Sequence, residues 1–192
     1  MSLIEVSRLV LASSSPRRLA LLREAGFDPL VRIPEVDESA RPAEAPKALV
    51  ERLAVSKLDA KVMHGEWGVA ADTVVIIDGE VLGKPGTAEL AANMLRRLSG
   101  RPHEVTTGIA VSGPSGRASA TVSTTVTFRN LGETEIARYV AGGEPLDKAG
   151  GYAIQGEASD FVISVDGSRD NVIGLPVAEM LGLLVAVGWT PS

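Results

Sequence analysis

Short apolar runs alternate along the chain with stretches whose leucines and alanines recur at helical spacing, which predicts strands alternating with helices. The run Leu9 to Ser13 reads as a strand. Leu19, Leu22 and Ala25 then form a helical stripe that Ser15 can cap, with Pro16 at the first helical position and Gly26 as the stop. A short strand is predicted around Pro29 to Ile33, followed by a polar, proline-containing segment from Pro34 to Pro46. Leu49, Leu53 and Leu58 predict a helix from Lys47 to Met63. Gly68 to Ile77 is a strongly apolar strand interrupted by Asp72 and Thr73, and the turn signal Asp78-Gly79 returns the chain as Glu80 to Leu82.

In the second half, Thr87 caps a predicted helix through Leu98 that Gly100 ends. Two β-rich runs, His103 to Ser112 and Ala118 to Arg129, flank Gly113-Pro114-Ser115-Gly116 as a hairpin. Glu133 to Ala141 reads as a helix closed by Gly142-Gly143. The glycine-punctuated stretch from Glu144 to Gly156 reads as a functional loop. Phe161 to Val165 is a predicted strand, and Pro176 to Val187 a last apolar helix. The class is α/β, with no internal repeat.

Composition narrows the function classes. A chain of 192 residues suits one domain, or two small lobes sharing a core. A net charge of -5 argues against nucleic acid as the main substrate, so any phosphate site must be local. The absence of cysteine excludes disulfide frameworks, cysteine nucleophiles and zinc thiolate sites. His64 and His103 form no short metal-ligand spacing. Glu5 and Arg8 interrupt the N-terminal apolar residues, unlike a signal peptide, and no apolar stretch reaches transmembrane length. The expectation is a cytoplasmic protein with no membrane partner.

The chemistry begins at Ser15-Pro16-Arg17-Arg18, which puts two arginines at the positive end of a helix, an unfavourable place unless an anion is bound. Ser13, Ser14 and Ser15 add hydroxyl and backbone donors at the strand-to-helix turn, where open α/β sheets hold phosphates. The alternative is that both arginines point into water or pair with nearby acids. Asp72 is a carboxylate inside an apolar strand, so it must face a cleft, a cation or a metal, or else sit in an internal salt bridge or bulge. Asp37 and Glu38, with Glu35 nearby, supply further acids that could converge with Asp72 on Mg2+ while one orients water. Gly83-Lys84-Pro85 is not a Walker A motif, yet Lys84 could still contact phosphate, as could Lys57 and Lys148.

Taken together, Ser15-Pro16-Arg17-Arg18, Ala71-Asp72-Thr73, Gly83-Lys84-Pro85, Leu98-Ser99-Gly100, Asp147-Lys148-Ala149-Gly150, Ile154-Gln155-Gly156 and Asn171-Val172-Ile173-Gly174-Leu175-Pro176 closely resemble the Maf family in order and spacing across nearly the whole chain. The resemblance implies a single domain over residues 1–192 with a mixed, strongly twisted central sheet flanked by helices and two lobes around a deep cleft, often dimeric. It implies a nucleotide pyrophosphatase dependent on a divalent metal, Mg2+ or Mn2+, that cleaves a nucleoside triphosphate between its α- and β-phosphates. By position Asp72 matches the family's general base, Glu38 with Asp37 beside it the acidic metal or water site, and Lys57 and Lys84 the catalytic lysines. Asp72 could itself ligate the metal. Ser13, Ser15 and Arg18 fall on the phosphate side of the substrate. Arg17, Thr73 and Gln155 match the branch acting on dTTP, UTP and related pyrimidine nucleotides, where a Gln amide offers both donor and acceptor to a base edge. The alternatives are 7-methyl-GTP as substrate, or a non-catalytic nucleotide sensor in septation. Two positions depart from the pattern: Leu58 follows Lys57 where alanine is common, and 166–170 is idiosyncratic.

Overall fold

Seven strands join in one mixed sheet in the computed structural model, which describes residues 9–190. Glu5 and Arg8 lie outside the described residues. The strands are β1 (Val10–Leu11), β2 (Leu30–Val31), β3 (Gly68–Ile77), β4 (Glu80–Leu82), β5 (Pro102–Gly113), β6 (Gly116–Phe128) and β7 (Val162–Asp166). They run in the order β2-β1-β3-β5-β6-β7, with β4 paired to β3. β1 is parallel to β2 and β3, while β3–β4 and β6–β7 are antiparallel. The helices are α1 (Pro16–Glu24), α2 (Pro46–Lys61), α3 (Ala88–Leu98), α4 (Glu133–Ala141), α5 (Arg169–Ile173) and α6 (Val177–Ala186). Among the described residues no helix is long and apolar enough to cross a membrane.

The β3–β4 hairpin turns through Asp78 and Gly79, both at positive φ (54° and 78°), the geometry that makes Asp-Gly a hairpin signal. Between α4 and β7 the predicted loop contains two short 3₁₀ turns, Glu144–Asp147 and Ala149–Gly151, and a third, Glu157–Phe161, follows it and takes up the first residue of the predicted strand. Helix α5 has no counterpart in the sequence reading, because a five-residue helix is too short to display a period.

The chain divides into two compact units. The first holds residues up to Asp72, Thr107–Val122 and Gly174 onward; the second holds Thr73–Thr106 and Ser123–Ile173. In the first unit, Ala54, Leu58 and Val62 of α2 and its cap pack on Val10, Ala12, Ala70 and Ala110 of the sheet region. The small partners let helix and sheet approach closely. Gly108 marks the limit, since a Cβ there would strike the carbonyl of Val50. That close seat fixes the height of α2 over the sheet, and with it the placement of the charged residues the helix carries.

The second unit is built on edge-to-face aromatic contacts linking His103, Phe128, Tyr152, Phe161 and Tyr139. His103 Nε2 lies 2.8 Å from Tyr152 Oη, and burial pushes the imidazole pKa down to about 4, with the Arg101 backbone opposing it more weakly. The unfolded chain protonates His103 near its ordinary value, so the folded state loses ground as pH falls through 6.5 toward 4. Wild type should therefore lose about 2 kcal/mol more stability than His103→Gln between about pH 7.5 and about pH 5, read from denaturant midpoints. Equal losses in the two proteins would show that His103 does not titrate across folding.

Candidate active site

Helix α2 and strand β3 deliver the central group of charges. Asp72 follows the fully buried Val69, Ala70 and Ala71 on β3 and is itself 9% exposed. Lys57 lies on α2 beside buried Ala54 and Leu58, so its stem is covered and its ammonium reaches Asp72 Oδ1 at 2.6 Å. The same Nζ lies 2.6 Å from Glu38 Oε1. The contact is an internal salt bridge, one of the alternatives that the position of Asp72 in the strand left open. Burying the pair is tolerable because each charge has its opposite within hydrogen-bond distance. The Lys57 and Asp72 side chains are 8% and 12% exposed and that of Glu38 is 54% exposed, so Glu38 is the open side of the group.

Glu38 is carried by the irregular stretch between β2 and α2. Asp37 Oδ1 accepts the Ser39 N–H at 2.9 Å, an Asx turn that brackets Glu38. That backbone bond, then the Ser39 side chain and more weakly Arg52, holds the Asp37 carboxyl below the usual carboxylate range. Asp37 is thus directed to its own turn, and the described Asp, Glu and His residues form no group of three suited to a metal ion.

At the start of α1, Ser15 caps the helix by accepting the Arg18 N–H at 3.4 Å, with Pro16 at the first position. Ser13, 3% exposed, accepts from the Ser15 N–H at 3.1 Å and from Arg18 Nη1 at 3.2 Å. Arg18 Nε donates to the Gly174 carbonyl at 2.8 Å. Arg18 is therefore fixed in place rather than solvated. Burial lowers its pKa, Asp72 opposes that, Arg17 adds to it and Glu38 again opposes it. The acids of the central group thus act electrostatically on this helix start. Arg17 is half-buried, and its Nε is a buried donor with no hydrogen-bond partner, the kind of orphan that a bound anion would satisfy.

In the second unit, Thr73 is half-buried on β3. Lys84 is exposed in the loop after β4, which is braced by Gly150 N–H to Gly83 O (3.1 Å) and Gly86 N–H to Leu146 O (3.0 Å). Gln155 is exposed beside Ile154, whose carbonyl accepts from Arg169 Nη2 at 3.1 Å. Lys148 is committed to its own loop through Glu144 O and Asp147 Oδ1.

Arg52 and Glu44 escaped the sequence reading. Arg52 Nε and Nη2 donate to Glu44 Oε1 and Oε2 at 2.6 and 2.7 Å, and Nη2 also donates to Ser39 O at 3.0 Å. These bonds, with the Arg41 N–H, hold the Glu44 pKa down to about 2. No spacing signals the pair, because Glu44 precedes the helix on which Arg52 lies.

Residues 8–187 match the family described as Maf-like protein. A relative from an Anaeromyxobacter strain, named dTTP/UTP pyrophosphatase, is 53% identical over 186 residues, covering 94% of this chain and 90% of the relative. Another of that name from Thermus thermophilus is 48% identical over 183 residues, covering 95% and 96%. The structure of the Staphylococcus aureus Ham1 protein shares the fold at a TM-score of 0.52 and 14% identity, covering 93% of this chain and 98% of that one. The chain belongs to the Maf family.

Proposed function

We propose that this protein is a cytoplasmic house-cleaning enzyme that hydrolyses dTTP, UTP and related or modified pyrimidine nucleoside triphosphates to the monophosphate and pyrophosphate. The carrying observation is the Glu38–Lys57–Asp72 group, one ammonium shared by two carboxylates. The names of relatives that match nearly the whole chain support the substrate class.

In this reading water attacks the α-phosphorus in line with the bridging oxygen to the β-phosphate. The water proton passes to an Asp72 carboxylate oxygen as the new P–O bond forms, and the bridging bond breaks to release pyrophosphate. Lys57 orients Asp72 through the 2.6 Å contact and offers positive charge to the phosphoryl oxygens. Ser13, the Ser15 turn and Arg18 receive phosphate oxygens at the α1 start, where N–H groups and guanidinium already converge. The reading assigns Lys84 to the charge that develops on pyrophosphate. Arg17, Thr73 and Gln155 are assigned to choice of nucleotide.

The donor set also suits a divalent cation. Mg2+ is commonly held by one or two carboxylates together with substrate phosphates, and Glu38 and Asp72 supply two hard oxygen donors, with Asp37 adjacent in sequence. When bound, such an ion neutralises phosphate charge and makes water more acidic.

The test is pyrophosphate release across a panel of dTTP, UTP, 5-methyl-UTP, pseudo-UTP, 7-methyl-GTP and the purine triphosphates, with Mg2+ or Mn2+. Pyrimidine nucleotides should be turned over fastest. Release confined to 7-methyl-GTP would overturn the substrate assignment, and no release from any triphosphate would favour a nucleotide sensor.

A further inference from the structure

Glu38 occupies an exposed position on a stretch without regular structure, yet its carboxylate meets Lys57 at 2.6 Å. An acid whose side chain is half open to solvent gains modest stability from an ion pair, so the backbone that carries it matters to its placement. That support comes from Arg52. Its Nη2 donates to the carbonyl of Ser39, the residue after Glu38, while Nε and Nη2 grip both oxygens of Glu44 at the far end of the loop. Glu44 Oε2 in turn accepts the Arg41 N–H at 2.9 Å. On the near side, the Asp37–Ser39 Asx turn closes around Glu38. One guanidinium on α2 thus ties both ends of the acidic loop to the helix that also bears Lys57.

We propose that Arg52 is a positioning residue: by strapping 39–44 to α2 it holds the Glu38 carboxylate in register with Lys57 and Asp72. The proposal rests on reading that group as catalytic. It depends on the fork geometry of arginine, because three bonds to two separate acceptor groups need a planar, multiply donating head; a lysine ammonium is a point charge with no fixed fork. A simple structural clamp would use the same contacts, but it would act on the whole fold rather than through Glu38.

A double-mutant cycle between Arg52→Gln and Glu38→Gln separates the two, with pyrophosphate release from dTTP and UTP and thermal melting measured on the full chain. Arg52→Gln should lower kcat by about 10- to 100-fold with a much smaller change in KM, and Arg52→Lys should recover only part of it. On the Glu38→Gln background the same change should cost under roughly twofold, because the group being positioned is already gone. An equal loss on both backgrounds, or a kcat for Arg52→Gln within roughly twofold of wild type, overturns the proposal. Should Arg52→Gln fail to fold, Glu44→Gln releases the strap from its other end and enters the same cycle. Asp72→Asn, assayed in parallel, separates the two possible failures. If it and Glu38→Gln are crippled while Arg52→Gln is not, only the strap falls; if both turn over at the wild-type rate, the catalytic reading falls and the strap with it.

Discussion

An Asp72→Asn variant should fold and yet lose about 10²- to 10⁴-fold in kcat on dTTP and UTP, the range supplied by a positioned general base. The amide has nearly the volume of the carboxylate, so the buried seat on β3 is preserved, and its oxygen can still accept from Lys57 Nζ. What it loses is the capacity to take a proton from attacking water or to donate a charged oxygen to a metal. Stability and catalysis should therefore separate: the denaturant midpoint moves little while turnover collapses. Near-full turnover would remove Asp72 from both roles.

Asp72 stood out in the sequence because a charge inside an unbroken apolar strand is costly unless something answers it. The α1 start was equally legible, since a serine cap and a proline at the first helical position act within a few residues. Lys57 was not distinguishable from a solvated helix lysine by spacing. Only its family position marked it, and the structure supplies the physical reason in its covered stem and paired ammonium. Asn171 shows a similar gap. It entered as part of a motif, and the structure finds it fully buried, with its amide donating to Val105 O and Thr124 Oγ1 to join α5 to β5 and β6. Arg52 and Glu44 were illegible for the opposite reason: charged residues at a helix and its approach are ordinary, and only the path of the irregular loop brings them together. Local patterns encode caps, turns and burial, whereas contacts made across an irregular loop depend on geometry that no period records.

The second large effect concerns stability, and it follows from the asymmetry of the buried pair. Lys57→Met keeps the length and apolar contacts of the stem on α2 but removes the ammonium that meets both Asp72 and Glu38. Two carboxylates then face one another's charge, one of them nearly buried, and removing one partner of such a pair costs about 3–5 kcal/mol, toward the lower end here because Glu38 is open to solvent. Adding Asp72→Asn to Lys57→Met removes the orphaned buried charge as well, so the double variant should regain most of the lost stability while remaining inactive. Urea midpoints at neutral pH measure the first effect and pyrophosphate release the second. A double variant no more stable than Lys57→Met alone would mean that the loss does not come from leaving the Asp72 carboxylate without its ammonium. Recovery of stability without recovery of turnover would mean instead that the Lys57 charge is what makes a buried Asp72 affordable, and that the fold keeps the pair for its chemistry.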